Sequence, residues 1–275
     1  MRLFRWLGPT LVAVLLLGAA AAAQRQLFRT GMEQYYEQSV KNAKYDGRFA
    51  FARLKYTSEP QGFYYCGMPP WGHGYFPSCR GGGERAETSL MKIMNELTFL
   101  DPHIEDSVVL TVDSPELAKY PIAYMTEPGF WTITDKEAAA LRAYLLKGGF
   151  LIVDDFRAYP RDHGGGGWEN FESVMERVIP SAQFVDLDED HPIFTNAFFK
   201  LESLNVFPQS YDTGRPIIRG LFEDNDPKKR LLVVANFNTD ISDFWEFSAT
   251  GFKPVDESNQ AYKLGVNYLM YGLTH

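Results

Sequence analysis

The chain has 275 residues, with 27 basic against 35 acidic side chains and a formal charge of −8 at pH 7. A balance this acidic repels nucleic acid and anionic membrane surfaces, so neither is expected as a partner. At this length one large α/β domain is expected rather than two.

The first residues, MRLFRWLGPTLVAVLLLGAAAAAQ, carry Arg2 and Arg5, an apolar run from Leu7 and an Ala-x-Ala end at Ala21 and Ala23. This is the layout of a secretory signal peptide over residues 1–23, cleaved before Gln24. The apolar run of about 17 residues is short for a hydrocarbon core of about 30 Å, and Gly8 and Pro9 weaken it as an anchor. The expectation is an exported protein, periplasmic or secreted, with no stable membrane span after cleavage. Export also bears on Cys66 and Cys79, which flank the Gly-, Pro- and aromatic-rich stretch GMPPWGHGYFPS. In an oxidising compartment two nearby cysteines more often form a disulfide than a metal site or a nucleophile. Such a bridge is worth about 3 kcal/mol.

Residues 24–47 are a polar, helix-compatible lead-in, and residues 48–275 form the domain proper. RFAFARLKY (Arg48–Tyr56) alternates and reads as a strand. Residues 57–84 form a long loop of the kind that is functional or disordered. In RAETSLMKIMNELTFL, Leu90, Ile93, Met94 and Leu97 recur at helical spacing. Two short apolar strands follow, Ser107–Val112 and Tyr120–Thr126. Thr134-x-x-Glu137 is a capping box; it opens a helix with Leu141, Tyr144 and Leu145 on one face, and Gly148 suits the left-handed position after its end. FLIVDDF (Phe150–Phe156) is a nearly unbroken apolar strand, as expected where helices cover both sheet faces. WENFESVMERVI then places Phe171, Val174, Met175 and Val178 on an inner helical face. QFVDLD is a short strand, and RPIIRGLFED pairs with RLLVVANFN around NDPKK. NQAYKLGVNYLMYGLTH is the last helix, packed by Tyr262, Gly265, Tyr268 and Leu269. Alternation of this kind argues for a doubly wound, mostly parallel sheet.

In open parallel sheets ligands bind outside the carboxyl ends of the strands. Four segments can converge there: the 57–84 loop, Thr126–Trp131, the loop after Phe150–Phe156, and NFNTDISDFWE (Asn236–Glu246). They supply Glu127, Trp131, Asp154, Asp155, Arg157, His163, Asn236, Asn238, Asp240, Asp243, Trp245 and Glu246. Acids, amides and rings together suit a hydroxyl-rich ligand, the rings stacking on sugar faces; as plain loop residues, Asp and Asn also bond their own backbone. The runs GGGERAE and GGGGWEN precede helices but match no phosphate-loop pattern, and acids already occupy their first turns. A hinge or lid is the better reading. His73, His163, His191, Asp154 and Asp155 are suitable metal ligands, yet their spacing matches no recognised site, so neither metal nor other cofactor is expected. If Asp154 and Asp155 both lie in a strand they point to opposite faces: one serves packing or a helix cap and the other faces the crevice.

LKGGFLIVDD, DEDHPIF, NFNTDISDFWE and YKLGVNYLMYGLT together resemble the bacterial family known as domain of unknown function 4159, from roughly Arg48 to His275. That family is similar in fold to class I glutamine amidotransferases and to ThuA-like proteins. The resemblance implies a flavodoxin-like α/β/α sandwich with helices on both sheet faces. Amidotransferases place a cysteine in the turn after a central strand; here that turn reads Asp154-Asp155-Phe156-Arg157, and Ile193 follows His191-Pro192 where their acid would stand. A glutamine amidotransferase is therefore excluded.

Two readings of function remain. The first is a non-catalytic binding or scaffold domain for a small polar ligand, such as a carbohydrate, or for an envelope protein. Glu127, Trp131, Asp154, Arg157, Asn236, Asn238, Asp240 and Trp245 would make its contacts. The second is a hydrolase or isomerase acting on a carbohydrate-like substrate, with Asp155, His163 and Glu246 as acid–base groups, with or without a metal.

Overall fold

The computed structural model describes residues 4–59, 67–76, 84–156, 167–205, 207 and 214–275. Cys66, Cys79, Arg157 and His163 lie outside these, and with them the expected disulfide and two expected site residues.

Helix α1 (Phe4–Ser39) is a single run of 36 residues that passes through Gln24 and takes up most of the polar lead-in. Near its end Tyr36 packs on Phe76, with ring centroids 4.6 Å apart. Among the described residues no helix is long and apolar enough to cross a membrane.

The sheet has seven strands: β1 (Ala52–Lys55), β3 (Val108–Thr111), β4 (Ile122–Thr126), β6 (Phe150–Asp154), β7 (Phe184–Asp186), β8 (Ile217–Phe222) and β9 (Leu231–Phe237). Their order is β3-β1-β4-β6-β9-β8-β7. The pairings from β3 across to β9 are parallel; β8 runs antiparallel to both β9 and β7. In order of appearance the five parallel strands follow the flavodoxin-like sequence 2-1-3-4-5, whose ligand crevice lies where the winding reverses, here between β1 and β4. A separate ribbon pairs β2 (Thr57–Ser58) with β5 (Trp131–Thr132).

Alternation along each central strand builds two cores. Ile122, Tyr124, Phe150 and Ile152 face one layer with α2 (Ala86–Leu97) and α7 (Val255–Thr274). Ala123, Met125, Leu151 and Val153 face the other, with α3 (Asp135–Leu146) and α4 (Trp168–Val178). Side chains of opposite parity are buried on both faces, which is why β4 and β6 read as apolar runs rather than as alternating patterns. The fold is thus the expected sandwich. Local signals decide the ends of α3: the Thr134 hydroxyl accepts from the Glu137 amide, the Glu137 carboxylate accepts from the Thr134 amide, and Gly148 takes φ 114° beyond the last turn. The described parts of the 57–84 loop are packed, with Trp71, Tyr75 and Phe76 buried against the β1 side.

The short helices α5 (Pro192–Thr195) and α6 (Ile241–Glu246) complete the layer with α7. Gly265 sets how closely α7 approaches α6. A β-carbon there would lie 2.7 Å from Trp245 and 3.0 Å from Leu90. Gly265→Ala is expected to destabilise the fold by about 1–3 kcal/mol through overpacking. Urea denaturation checks this, and an unchanged midpoint would show that α7 can shift to make room.

Candidate functional site

The site lies at the carboxyl edge of the sheet, across the winding reversal. Three neighbouring strands, β4, β6 and β9, end in non-glycine residues in the left-handed region: Glu127 at φ 49°, Asp155 at φ 58° and Asn238 at φ 56°. Such a conformation costs of order 1 kcal/mol or more in a residue with a β-carbon, and it persists only where the surroundings impose it. At Glu127, the Tyr56 hydroxyl lies 2.7 Å from the carbonyls of Thr126 and Glu127, and the Glu127 amide donates to Asp154 O. At β6 and β9, Phe156 and Thr239 bridge the two turns.

His73 stands opposite these turns, in the segment after β1 and β2. Buried Arg53, on β1, holds that segment. Its guanidinium donates to the carbonyls of Trp71 (3.2 Å) and His73 (2.7 Å), pairs with Glu87 of α2 at 2.8 Å, and lies 4.9 Å from the Tyr124 ring centre. Gly74, at φ 73°, lets the chain turn against Ala86 and Ser242. The imidazole is thereby delivered among acids. Its Nδ1 is 3.0 Å from Asp155 Oδ2 and 3.7 Å from both Glu127 Oε1 and Asp240 Oδ2, while Nε2 is 3.7 Å from Asp243 Oδ1. The His73 side chain keeps 13 % of its exposure and that of Glu127 11 %, so the cluster is reachable from one side.

A second carboxylate, directly beside Asp155, has a different task. Asp154 is fully buried and accepts four hydrogen bonds: from Asn236 Nδ2 (3.0 Å), Tyr124 Oη (2.8 Å), and the amides of Ile241 (3.2 Å) and Ser242 (2.9 Å). Burial, reinforced by the Asp240 charge, pushes its carboxyl up to about 7, and the hydrogen bonds oppose that shift. Three of the four partners are N–H groups, which can only donate, so the setting is built for the charged form. Asp154 thereby fixes the start of α6. Asp240 caps the same helix, its Oδ1 accepting from Asp243 N and Ser242 Oγ. One turn of α6 then presents Asp243, whose Oδ2 pairs with Lys253 at 3.3 Å, and Glu246.

The expected site residues divide accordingly. Glu127, Asp155, Asp240 and Asp243 converge on His73, and Glu246 lies within electrostatic reach of it. Asp154 and Asn236, expected to touch ligand, are internal: Asn236 donates to Asp154 and accepts from Tyr268, and both are buried. Asn238 donates to the Arg215 carbonyl. Trp131 and Trp245 need correcting as stacking platforms. Trp131 is fully buried against Tyr56 and Phe171; Trp245 is 2 % exposed, donates to the Ala261 carbonyl and packs on Gly265. Neither ring can meet a sugar face.

The sequence reading gave the acid–base role to His163, which lies outside the described residues, and named His73 only as a possible metal ligand. It gave no site role to Arg53, Tyr124 or Lys253, and read Glu87 only as a first-turn acid. A charged residue between Ala52 and Leu54 in a buried strand was the available sign for Arg53.

Burial raises the Glu246 carboxyl to about 7, against the pull of His73. The His73 imidazole is raised well above 6.5, the carboxylates of Asp240, Asp155 and Glu127 outweighing its burial. Both groups bind protons more tightly folded than unfolded. The His73 contribution is present below about 6.5 and fades as pH climbs through its raised value, and the charged Glu246 becomes a burden between about 4.5 and 7. The two slopes share a sign, so chelator-treated protein is expected to melt at progressively lower temperature from pH 5 to pH 9. A melting temperature that rises with pH would contradict this assignment. Separately, Asp154→Asn replaces one accepting oxygen with an NH2 donor that faces other donors, and is expected to cost about 3 kcal/mol in denaturant unfolding.

No curated protein matches the chain. The family model described as Domain of unknown function (DUF4159) matches residues 79–273, a span that takes in β4, β6, β9 and α6 and every acid of the cluster. The chain belongs to the DUF4159 family.

Proposed function

We propose that this chain is an exported hydrolase acting on a hydroxyl-rich, carbohydrate-like substrate through a carboxylate–histidine centre. The observation that carries the reading is the convergence of Glu127 and Asp155, two acids in left-handed turns at the ends of adjacent strands, on the single imidazole of His73. Backbone strain kept at the mouth of a sheet is a mark of sites that do chemistry. A passive sugar cradle would rest on exposed rings, and the two described rings expected to form one, Trp131 and Trp245, are both in the core.

Hydrolysis needs a group that holds water and a group that moves a proton near neutrality. The His73 cluster is suited to the first task. Glu246 suits the second: its carboxyl sits at about 7, and its Oε1 accepts no hydrogen bond. The turn resembles the one in which class I amidotransferases carry a cysteine, here without a thiol or serine, and its Asp155 carboxylate reaches His73 instead. The leader-like first 23 residues support export.

The test is turnover of a panel of aryl glycosides and acetylated sugars. Asp155→Asn is expected to lower kcat by about 10³-fold or more while the protein stays folded, and Glu246→Gln by about 10²–10⁴-fold with loss of the pH limb near 7. Sugar binding without turnover, undiminished in Asp155→Asn, would return the chain to the binding-module reading.

A further inference from the structure

We infer that His73 Nδ1, Glu127 Oε1 and Asp155 Oδ2, with Asp240 Oδ2 facing them, form the binding site for one divalent transition-metal ion, Zn²⁺ or Mn²⁺. The inference rests on the hydrolase reading for its purpose, not for its geometry.

Three carboxylate oxygens lie 3.0, 3.7 and 3.7 Å from one imidazole nitrogen. Metal–ligand bonds of about 2.1 Å separate neighbouring ligand atoms by about 3.0 Å in an octahedron and about 3.4 Å in a tetrahedron. The spacings to the imidazole are close to those within a ligand shell, and Asp240 forms a second such group with His73 and Asp243. The ligand atoms of His73, Glu127 and Asp155 also lie within 4.8 Å of one another.

Asp240 supplies a second, independent sign. The residue is 3 % exposed, and its Oδ1 is taken by Ser242 and Asp243. Its Oδ2 accepts no hydrogen bond and points at the same Nδ1. A buried acceptor left in this state costs several kcal/mol unless a cation or donor meets it. Among the described residues, Arg53 is paired with Glu87 and Lys253 with Asp243.

The partition of the histidine favours the Nδ1 side. Asp243 shares its charge with Lys253 and faces Nε2, the position from which an outer carboxylate orients a metal-bound imidazole. A nitrogen donor beside carboxylate oxygens suits zinc or manganese better than the all-oxygen shells of calcium or magnesium. Three or four protein ligands leave room for a water, whose pKa such an ion lowers towards neutrality.

The experiment titrates Zn²⁺ and Mn²⁺, each as the chloride, into chelator-treated full chain, read by calorimetry and by melting temperature. One ion per chain is expected, with a rise in melting temperature. Glu127→Gln and Asp155→Asn should each weaken binding by at least about 100-fold, a loss no smaller than that from removing an outer-shell partner. Glu127→Gln is the safer variant, since its side chain is partly exposed, and circular dichroism verifies that both fold. Asp243→Asn, at the outer carboxylate, should weaken binding by about 10-fold, less than either ligand variant. Absence of binding at millimolar Zn²⁺ and Mn²⁺ overturns the inference, as does binding that survives Glu127→Gln or is lost only in Asp243→Asn. Stoichiometric binding without turnover on the sugar panel would sink the hydrolase reading and leave the metal site standing. Turnover on that panel with no binding of either metal would do the reverse.

Discussion

The buried Asp154 carboxylate is the constraint on which the candidate site depends. It is the last residue of β6, and it gathers donors from β4, β9 and the start of α6. A charge placed in the core is tolerable only when its acceptors are filled, so these donors cannot move independently. Tyr124 and Asn236 hold the strands in register at their ends. The amides of Ile241 and Ser242 set where α6 begins, and that choice places Asp240, Asp243 and Glu246 in space. Tyr268 extends the network into α7 by donating to Asn236. A single side chain thus ties sheet, short helix and long helix at the point where chemistry is expected.

Arg53 plays the matching part on the other side of the winding reversal. It is 1 % exposed, paired with Glu87 and stacked near Tyr124, and its remaining donors reach the carbonyls around His73. Two buried charges, one on β1 and one on β6, therefore position the two halves of the cluster. The left-handed turns at Glu127 and Asp155 lie between them, held by Tyr56 and by the bridge from Phe156 to Thr239. Rigid support beneath strained turns is what keeps reacting groups preorganised.

Much of this was legible along the chain. The capping box at Thr134, the apolar runs of β4 and β6, the inner face of α4 and the hairpin of β8 with β9 rest on local signals, and each appears where it was expected. The general place of the site followed from the rule for parallel sheets, and the acids of Asn236–Glu246 were marked as candidates. The tryptophans were misread because composition cannot tell a ring that faces water from one that fills a core. Trp245 lies in an acid-rich segment, yet α6 turns its indole inward onto Gly265.

The sequence by itself determined the main strands and helices, the doubly wound architecture and the acidic character of the loops, because periodicity, capping and charge act over a few neighbouring residues. Only the tertiary structure decided that His73 meets those acids, and which of Asp154 and Asp155 is internal. Residues 127, 155 and 240 are brought within 3.7 Å of one nitrogen of His73 by strand order and by two buried charge networks. Proximity of that kind depends on contacts between distant segments, and no spacing along the chain encodes it.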